Sequence, residues 1–314
     1  MHCQTCGDAT SPAYEECQRC GTRVGQPAVT PGAPTYGVRG LAVASALAVG
    51  AATLCYLLTA LFPLVGVQMA RSAAEQLDRD VLLGVVLVEV LFTLPYLLAL
   101  LTAGTLVVIW TWRARKNLDA FPGAVPSLSP AWAIAGWLVP FANLVVPARV
   151  LADLLRNSVW QRRQSWLVGV WWASWLVFLI GDRFVARAEQ QRYDRLTELP
   201  RNDAEFATYV RFYEEALAPR LTPAVACLVA GVAFVVLVRR ISAAQQDRLA
   251  RAVPAWPGQP VWPGHPGWPA PAAFAPAAPA APVAAGAAGP RDGADGASAT
   301  SPQVPPGPNG TIGA

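Results

Sequence analysis

Charge is what this sequence has least of. Only 14% of its 314 residues are Asp, Glu, Lys or Arg, against about 25% in an average soluble domain. Lysine is nearly absent, since Lys116 is the single one among 24 basic residues. Histidine occurs only at His2 and His265, outside the apolar middle of the chain, so no Ser/His or Cys/His pair is available there for nucleophilic catalysis. These shortages exclude a soluble enzyme of ordinary composition. With 54% hydrophobic residues and a mean hydropathy of +0.35 they also exclude a wholly disordered chain. The net charge of +4 is small and diffuse, which argues against nucleic acid as a partner. A short basic region before the first apolar run is missing too, so that run reads as an uncleaved anchor rather than a secretory signal.

What is present is a set of long apolar runs, and these predict an all-α integral membrane helix bundle in the lipid bilayer. A span needs roughly 20 residues of helix. Residues 41–66, 81–110, 166–185 and 221–238 qualify as four spans within a membrane domain at 39–251. A fifth run, 132–150, contains Pro140 and Pro147 with Asn143 between them. Each proline removes a helical hydrogen bond, so the run is expected to be re-entrant or broken, the alternative being five full spans. Arg113, Arg115 and Lys116 follow the second span and Arg239 and Arg240 the last. That placement prefers four spans with both termini in the cytoplasm of a multi-pass protein of the cell membrane. Between spans, Asn202 is a good N-cap, and Phe206, Tyr209, Val210, Tyr213 and Leu217 share one face of an external amphipathic helix at about 203–217.

Polar residues within the spans are few. Glu89 lies in the second, and Asp182 and Arg183 lie near the end of the third. A charge at mid-bilayer costs roughly 2.5 to 3.5 kcal/mol on insertion scales. Glu89 is therefore expected to pair with Arg183, with Asp182 reaching water.

The clearest chemical signal is at the N-terminus. Cys3-Gln-Thr-Cys6-Gly7 and Cys17-Gln-Arg-Cys20-Gly21 are two matched CxxCG units within residues 1–25, followed by an expected linker at 26–38. Two thiolates three positions apart in a tight turn grip one metal ion, and two such turns complete a tetrahedral structural zinc site. The glycine relieves crowding so that backbone N–H groups can point at sulfur. A redox CxxC belongs to a βαβ unit, for which the segment is too short. Such a ribbon lacks a core and a basic face, so an unidentified cytoplasmic protein is the expected partner. At the other end, residues 252–314 are rich in Pro, Ala and Gly, with Trp256, Trp262 and Trp268 six residues apart. That composition predicts a disordered tail, a second candidate for recruiting partners. A homo-oligomer is compatible with this architecture.

In the middle of the chain, Trp110-x-x-Arg113-Ala114-x-x-Asn117, then Trp132, Gly136-Trp137-x-x-Pro140-x-x-Asn143 and Pro147 form a pattern of their own. It resembles the family called domain of unknown function 4328, over roughly residues 41–251. Leu138 stands where that pattern has an aromatic. The resemblance implies a bacterial, often actinobacterial, membrane protein with an N-terminal zinc ribbon and a Pro-rich tail, and it implies no activity. Asn143 is expected to donate to carbonyls freed by Pro147, and Asn117 to cap the second helix. The function expected from all this is a non-enzymatic membrane scaffold or regulator. The alternative is a small-solute or ion transporter or channel using the Pro/Asn-interrupted segment.

Overall fold

The computed structural model describes residues 1–159, 165–196 and 200–252. The expected tail, beyond Ala252, lies outside the described residues. The helices are α1 (Arg39–Leu61), α2 (Pro63–Gln76), α3 (Arg79–Asp119), α4 (Trp132–Leu138), α5 (Val146–Ser158), α6 (Ser165–Tyr193) and α7 (Asp203–Ala252), with a 3-10 turn at Ala142–Leu144 before α5. Among the described residues there is no strand, only two isolated bridges in the N-terminal segment. Four stretches are long and apolar enough to cross a membrane: Arg39–Gln76, Arg79–Asp119, Trp166–Tyr193 and Asp203–Ala252. The protein is an all-α membrane helix bundle.

The charges set where lipid ends. On α3, residues 90–112 carry none, a run of roughly 35 Å at 1.5 Å per residue. On α7 the charge-free run is 221–238, about 27 Å. Both match a hydrocarbon core of about 30 Å. Leu87, Leu91 and Leu101 of α3 are 65–75% exposed, as side chains facing lipid should be: 71%, 68% and 70%. Arg113 and Arg239 bound the band at the end nearer the cysteines, the ribbon end. Glu89, Asp182 and Arg220 bound it at the distal end.

The helices extend past both boundaries. Pro63 does not end the first helical stretch but opens α2, where a missing N–H costs nothing. The amphipathic helix expected at 203–217 forms the first third of α7, which runs unbroken through Pro219 and Pro223. Its start is a capping box: the Glu205 N–H donates to Asn202 Oδ1 (3.0 Å) and the Arg201 N–H donates to the Glu205 carboxylate (2.6 Å). Phe206, Tyr209 and Tyr213 are buried on one face, where they join Phe62, Ala70 and Val85 in a distal apolar cluster. This part of α7 packs along α2 through that cluster.

The interrupted run is a helical hairpin. The backbone between α4 and α5 satisfies itself locally: the Asn143 N–H donates to Val139 O, the Leu144 N–H to Phe141 O and the Val145 N–H to Ala142 O. Gly136 makes the hairpin close-packed, because a Cβ there would sit 2.4 Å from Val146 Cγ1. The bend places Leu138, Val139 and Phe141 at an exposed apolar tip, and Phe141 has φ +65°, a sparsely populated conformation for a bulky residue. At the ribbon end, Trp110, Trp171 and Phe234 meet Leu151, Leu154 and Leu237 in the largest apolar core.

Candidate metal centre and its seat on the bundle

The two cysteine turns have the same geometry. In the first, the Cys3 N–H donates to Asp8 O and the Gly7 N–H to Cys3 O, both at 2.8 Å. In the second, the Cys17 N–H donates to Thr22 O (2.9 Å) and the Gly21 N–H to Cys17 O (2.8 Å). Gly7 and Gly21 have φ of +80° and +69°, the left-handed conformation that closes each knuckle without a Cβ penalty. The turns bring the four sulfurs within 4.8 Å of one another, with Cys3 Sγ 3.5 Å from Cys20 Sγ and Cys6 Sγ 3.6 Å from Cys17 Sγ. Metal–sulfur bonds of about 2.3 Å in a tetrahedron require sulfur separations of about 3.8 Å. The four thiols therefore fit a single metal ion.

Their proton affinities are uneven. Burial works against the Cys17 thiolate, but the Thr10 hydroxyl and the backbone N–H groups of Cys20 and Arg19 outweigh it and bring its pKa down to about 6. Burial pushes Cys6 far above its ordinary value and Cys20 above it, despite backbone N–H donors from Asp8 and Thr22. One thiolate is preformed; a bound cation has to displace the protons of its neighbours.

The ribbon does not hang on a slack linker. Arg251, in the last turn of α7, donates through Nε to Gln4 O (2.9 Å) and through Nη2 to Thr5 O (2.7 Å), gripping the first knuckle by its backbone. Arg248, one turn earlier, donates to Ala28 O (2.8 Å) and Pro122 O (3.0 Å) and stacks over the Phe121 ring at 4.3 Å. Residues 26–38, expected to be a linker, are pinned to the bundle. The Thr30 N–H donates to Ala120 O (2.9 Å), the Tyr36 N–H to Asn117 Oδ1 (2.7 Å), and Val38 is fully buried.

The sequence motif is the lower half of this seat. Trp110 is buried, with its indole N–H donating to Ser242 Oγ (2.9 Å). Asn117 is fully buried and binds Tyr36 on both sides, donating to Tyr36 O (2.9 Å) and to Gln245 Oε1 (3.1 Å). Its side chain ties three segments together and does not cap α3; only its backbone carbonyl does, accepting from the Ala120 N–H. Arg113 is half-buried, and the neighbouring Arg115 makes the contacts, donating twice to Leu128 O and once to Asp119. Trp137 stacks at 6.4 Å on Trp171, Pro147 is buried at the start of α5, and Pro140 is exposed at the bend. The Asn143 side chain forms no hydrogen bond among the described residues, and its Oδ1 is buried. The expected donation from this side chain to carbonyls freed by Pro147 is absent among the described residues.

Three further residues were not legible as site residues. Gln245 donates to Ala114 O and Ser158 Oγ, Asp153 accepts from the Ser127 N–H and from Arg156, and Asn157 accepts from the Val125 N–H. Each sits at helical spacing among apolar neighbours, a pattern that marks a buried polar group but not its partner.

At the distal boundary the expected pairing changes. Glu89 faces Arg220 (3.8 Å), which is itself held bidentately by Glu189 (2.6 and 2.7 Å). Asp182 is partly exposed and accepts from the Tyr56 hydroxyl (2.8 Å), and Arg183 is exposed. Arg220 supplants Arg183 because the continuity of α7 carries it to the depth of Glu89.

Fold and site together define a four-span membrane bundle that carries a four-cysteine metal knuckle fixed to one end. The chain belongs to the family described as Domain of unknown function (DUF4328), whose sequence profile matches residues 74–243. The match begins near the end of α2, so α1, the cysteine turns, Arg248 and Arg251 fall outside it. No curated protein and no solved structure matches the chain.

Proposed function

We propose that this protein is a non-catalytic scaffold or regulator of the bacterial cell membrane, with zinc in the ribbon and both termini in the cytoplasm. Its ribbon and Pro-rich tail recruit cytoplasmic protein partners. The observation that carries this reading is the grip of Arg251 on Gln4 and Thr5. A ribbon docked by its backbone has a fixed position on the bundle, so a partner bound to it is held at a defined place on the membrane. A closed set of four thiolates has no open position for substrate, which supports a structural rather than catalytic ion. Zinc suits a redox-silent tetrahedral S4 site, with iron as the rival that metal analysis separates. The test is proximity labelling from the N-terminus in the native cell, comparing the wild type, Cys17→Ser and a chain ending at 252. The expected result is a set of cytoplasmic neighbours lost in one or both variants; an identical neighbour set in all three overturns the reading.

The buried, unpaired Oδ1 of Asn143 in the interrupted segment favours a second reading, a small-solute or ion transporter. Flux in liposomes that disappears in Asn143→Ala or Glu89→Gln would establish it in place of the first.

A further inference from the structure

Two pockets lie side by side on the bundle, the larger opening onto its lipid-facing surface beside exposed Leu101 and Leu138. The larger, about 540 Å³, is walled by α1, α3, α4, α6 and α7 and lies within the charge-free band. Its lining is apolar, with the small residues Gly104, Ala103 and Ala230 leaving the space that larger side chains would fill. The smaller, about 260 Å³, lies at the distal boundary and is lined by Tyr56, Glu89, Asp182, Glu189 and Arg220 among others. Tyr96 lines both, so the apolar pocket borders the polar one.

The arrangement has the profile of an amphiphile. The larger chamber falls within the roughly 300–1,000 Å³ of small-molecule sites, but the surrounding solvent at its depth is hydrocarbon. The smaller chamber sits where lipid headgroups begin. Its charges do not cancel. Arg220 is matched by the bidentate Glu189 and also donates to Thr59 O (3.2 Å). Glu89 stays 3.8 Å away with its side chain 40% exposed, and Asp182 is held only by the Tyr56 hydroxyl. Arg183 is exposed and is not part of the lining. The lining thus carries three carboxyl groups, Glu89, Asp182 and Glu189, against the one guanidinium of Arg220. A second feature comes from the apolar chamber. Trp175 lines it, and its indole nitrogen is buried without a hydrogen-bond partner among the described residues. Seven residues separate Trp175 from Asp182 on α6, about 10 Å of rise, which suits a carbonyl a few bonds below a headgroup. A buried unpaired donor costs about 1–3 kcal/mol unless something accepts from it.

We infer that the adjoining pockets bind one molecule of an amine-bearing lipid, its ammonium between Glu89 and Asp182 and one acyl chain in the space beside Gly104. Charge selects the headgroup, since an anionic lipid would meet the two carboxylates. Volume selects the chain.

The test uses the full-length protein reconstituted from equimolar dioleoyl phosphatidylethanolamine and dioleoyl phosphatidylglycerol, then examined by native mass spectrometry under increasing activation. The expected result is one phosphatidylethanolamine per chain, retained at energies that strip phosphatidylglycerol. Retention should fall at least fivefold in the Glu89→Gln, Asp182→Asn double variant. It should fall similarly in Gly104→Phe, a position where an added Cβ meets nothing within 4 Å. If the double variant does not fold, the wild-type lipid preference and Gly104→Phe decide alone. Equal retention of the two lipids, preference for phosphatidylglycerol, or full retention in Gly104→Phe would each overturn the inference. None of these outcomes bears on partner recruitment by the ribbon.

Discussion

At the ribbon end, Asn117, Gln245 and Arg248 are each no more than 2% exposed and give most of their hydrogen bonds to backbone carbonyls of other segments. At the distal end, the side chains of Arg220 and Glu189 keep 16% exposure and bind chiefly each other. A side chain bonded to a distant backbone fixes where that chain segment runs. A pair of side chains bonded together fixes only itself, and it can exchange partners when a ligand or water arrives. The ribbon end is thus built to hold position and the distal end to accommodate change.

Removing the metal should produce the largest effect, because the ribbon has no apolar core to fall back on. A strong chelator is expected to make residues 1–25 fully sensitive to protease while the helicity of the bundle, read by circular dichroism, stays within about a tenth of its starting value. Loss of bundle helicity would show instead that the metal governs the whole ribbon end. Affinity should also fall as pH falls. Metal binding requires thiolates, Cys17 with a pKa of about 6 is already ionised at pH 7, and Cys6 and Cys20 must release protons on binding. Weakening is thus expected throughout the range below neutrality, and it steepens below about pH 6 as Cys17 protonates too. A zinc competition titration at pH 5.5, 6.5 and 7.5 reads it; a flat profile would contradict the placement of protons on Cys6 and Cys20.

Next in size is Asn117→Leu. It leaves the Tyr36 N–H and carbonyl and the Gln245 carbonyl oxygen without partners, at roughly 1–3 kcal/mol for each buried group. A loss on the order of 4 kcal/mol, with a clear drop in melting temperature in detergent, is expected. Asn143→Leu should change the same melt by less than about 1 kcal/mol, since no hydrogen bond is removed. A reversal of that order would move the structural weight from the α3–α7 seat to the hairpin.

These two asparagines show where sequence reasoning stops. Apolar run lengths, set by bilayer thickness, located four candidate spans, and the cysteine spacing located a cluster that fits one metal ion, because both signals are local. Pro140 and Pro147 pointed to a break within residues 132–150, and the chain bends there. Pro219 and Pro223 carry the same local signal, yet α7 runs through them. Each removes a helical hydrogen bond, but the apolar faces on both sides, against α2 and against α1 and α6, keep one axis. That continuity brings Arg220 to Glu89 and joins the external amphipathic helix to the last span. Arg251 and Gln4 lie 247 positions apart, and nothing in the spacing of either announces the other.

Glu189→Gln tests the distal end itself. It removes the charge that holds Arg220 while keeping shape and one hydrogen bond. Breaking a fully buried pair costs roughly 3–5 kcal/mol, but here Glu89 stands 3.8 Å away as a substitute and the groups are partly solvated. About 1–2 kcal/mol is expected in the melt. A cost as large as that of Asn117→Leu would mean that Glu89 cannot move to take over, and the distal end would be as rigid as the other.

The smallest effect belongs to Arg71→Ala, which removes the 2.7 Å contact with Glu214 between α2 and α7. Both side chains are about half exposed, 52% and 42%, and solvent-exposed pairs of this kind contribute roughly 0.2–1 kcal/mol, less in salt. The Phe62, Val85 and Tyr213 cluster beneath it holds α2 to α7 by apolar contact, which salt does not screen. A shift below about 0.5 kcal/mol, vanishing at 0.5 M salt, is therefore expected in the thermal melt. Should Arg71→Ala instead separate α2 from α7, seen as new protease cleavage within 63–76, the distal end would depend on charge rather than on its aromatic cluster. Its contrast with the ribbon end would then be one of solvent exposure alone.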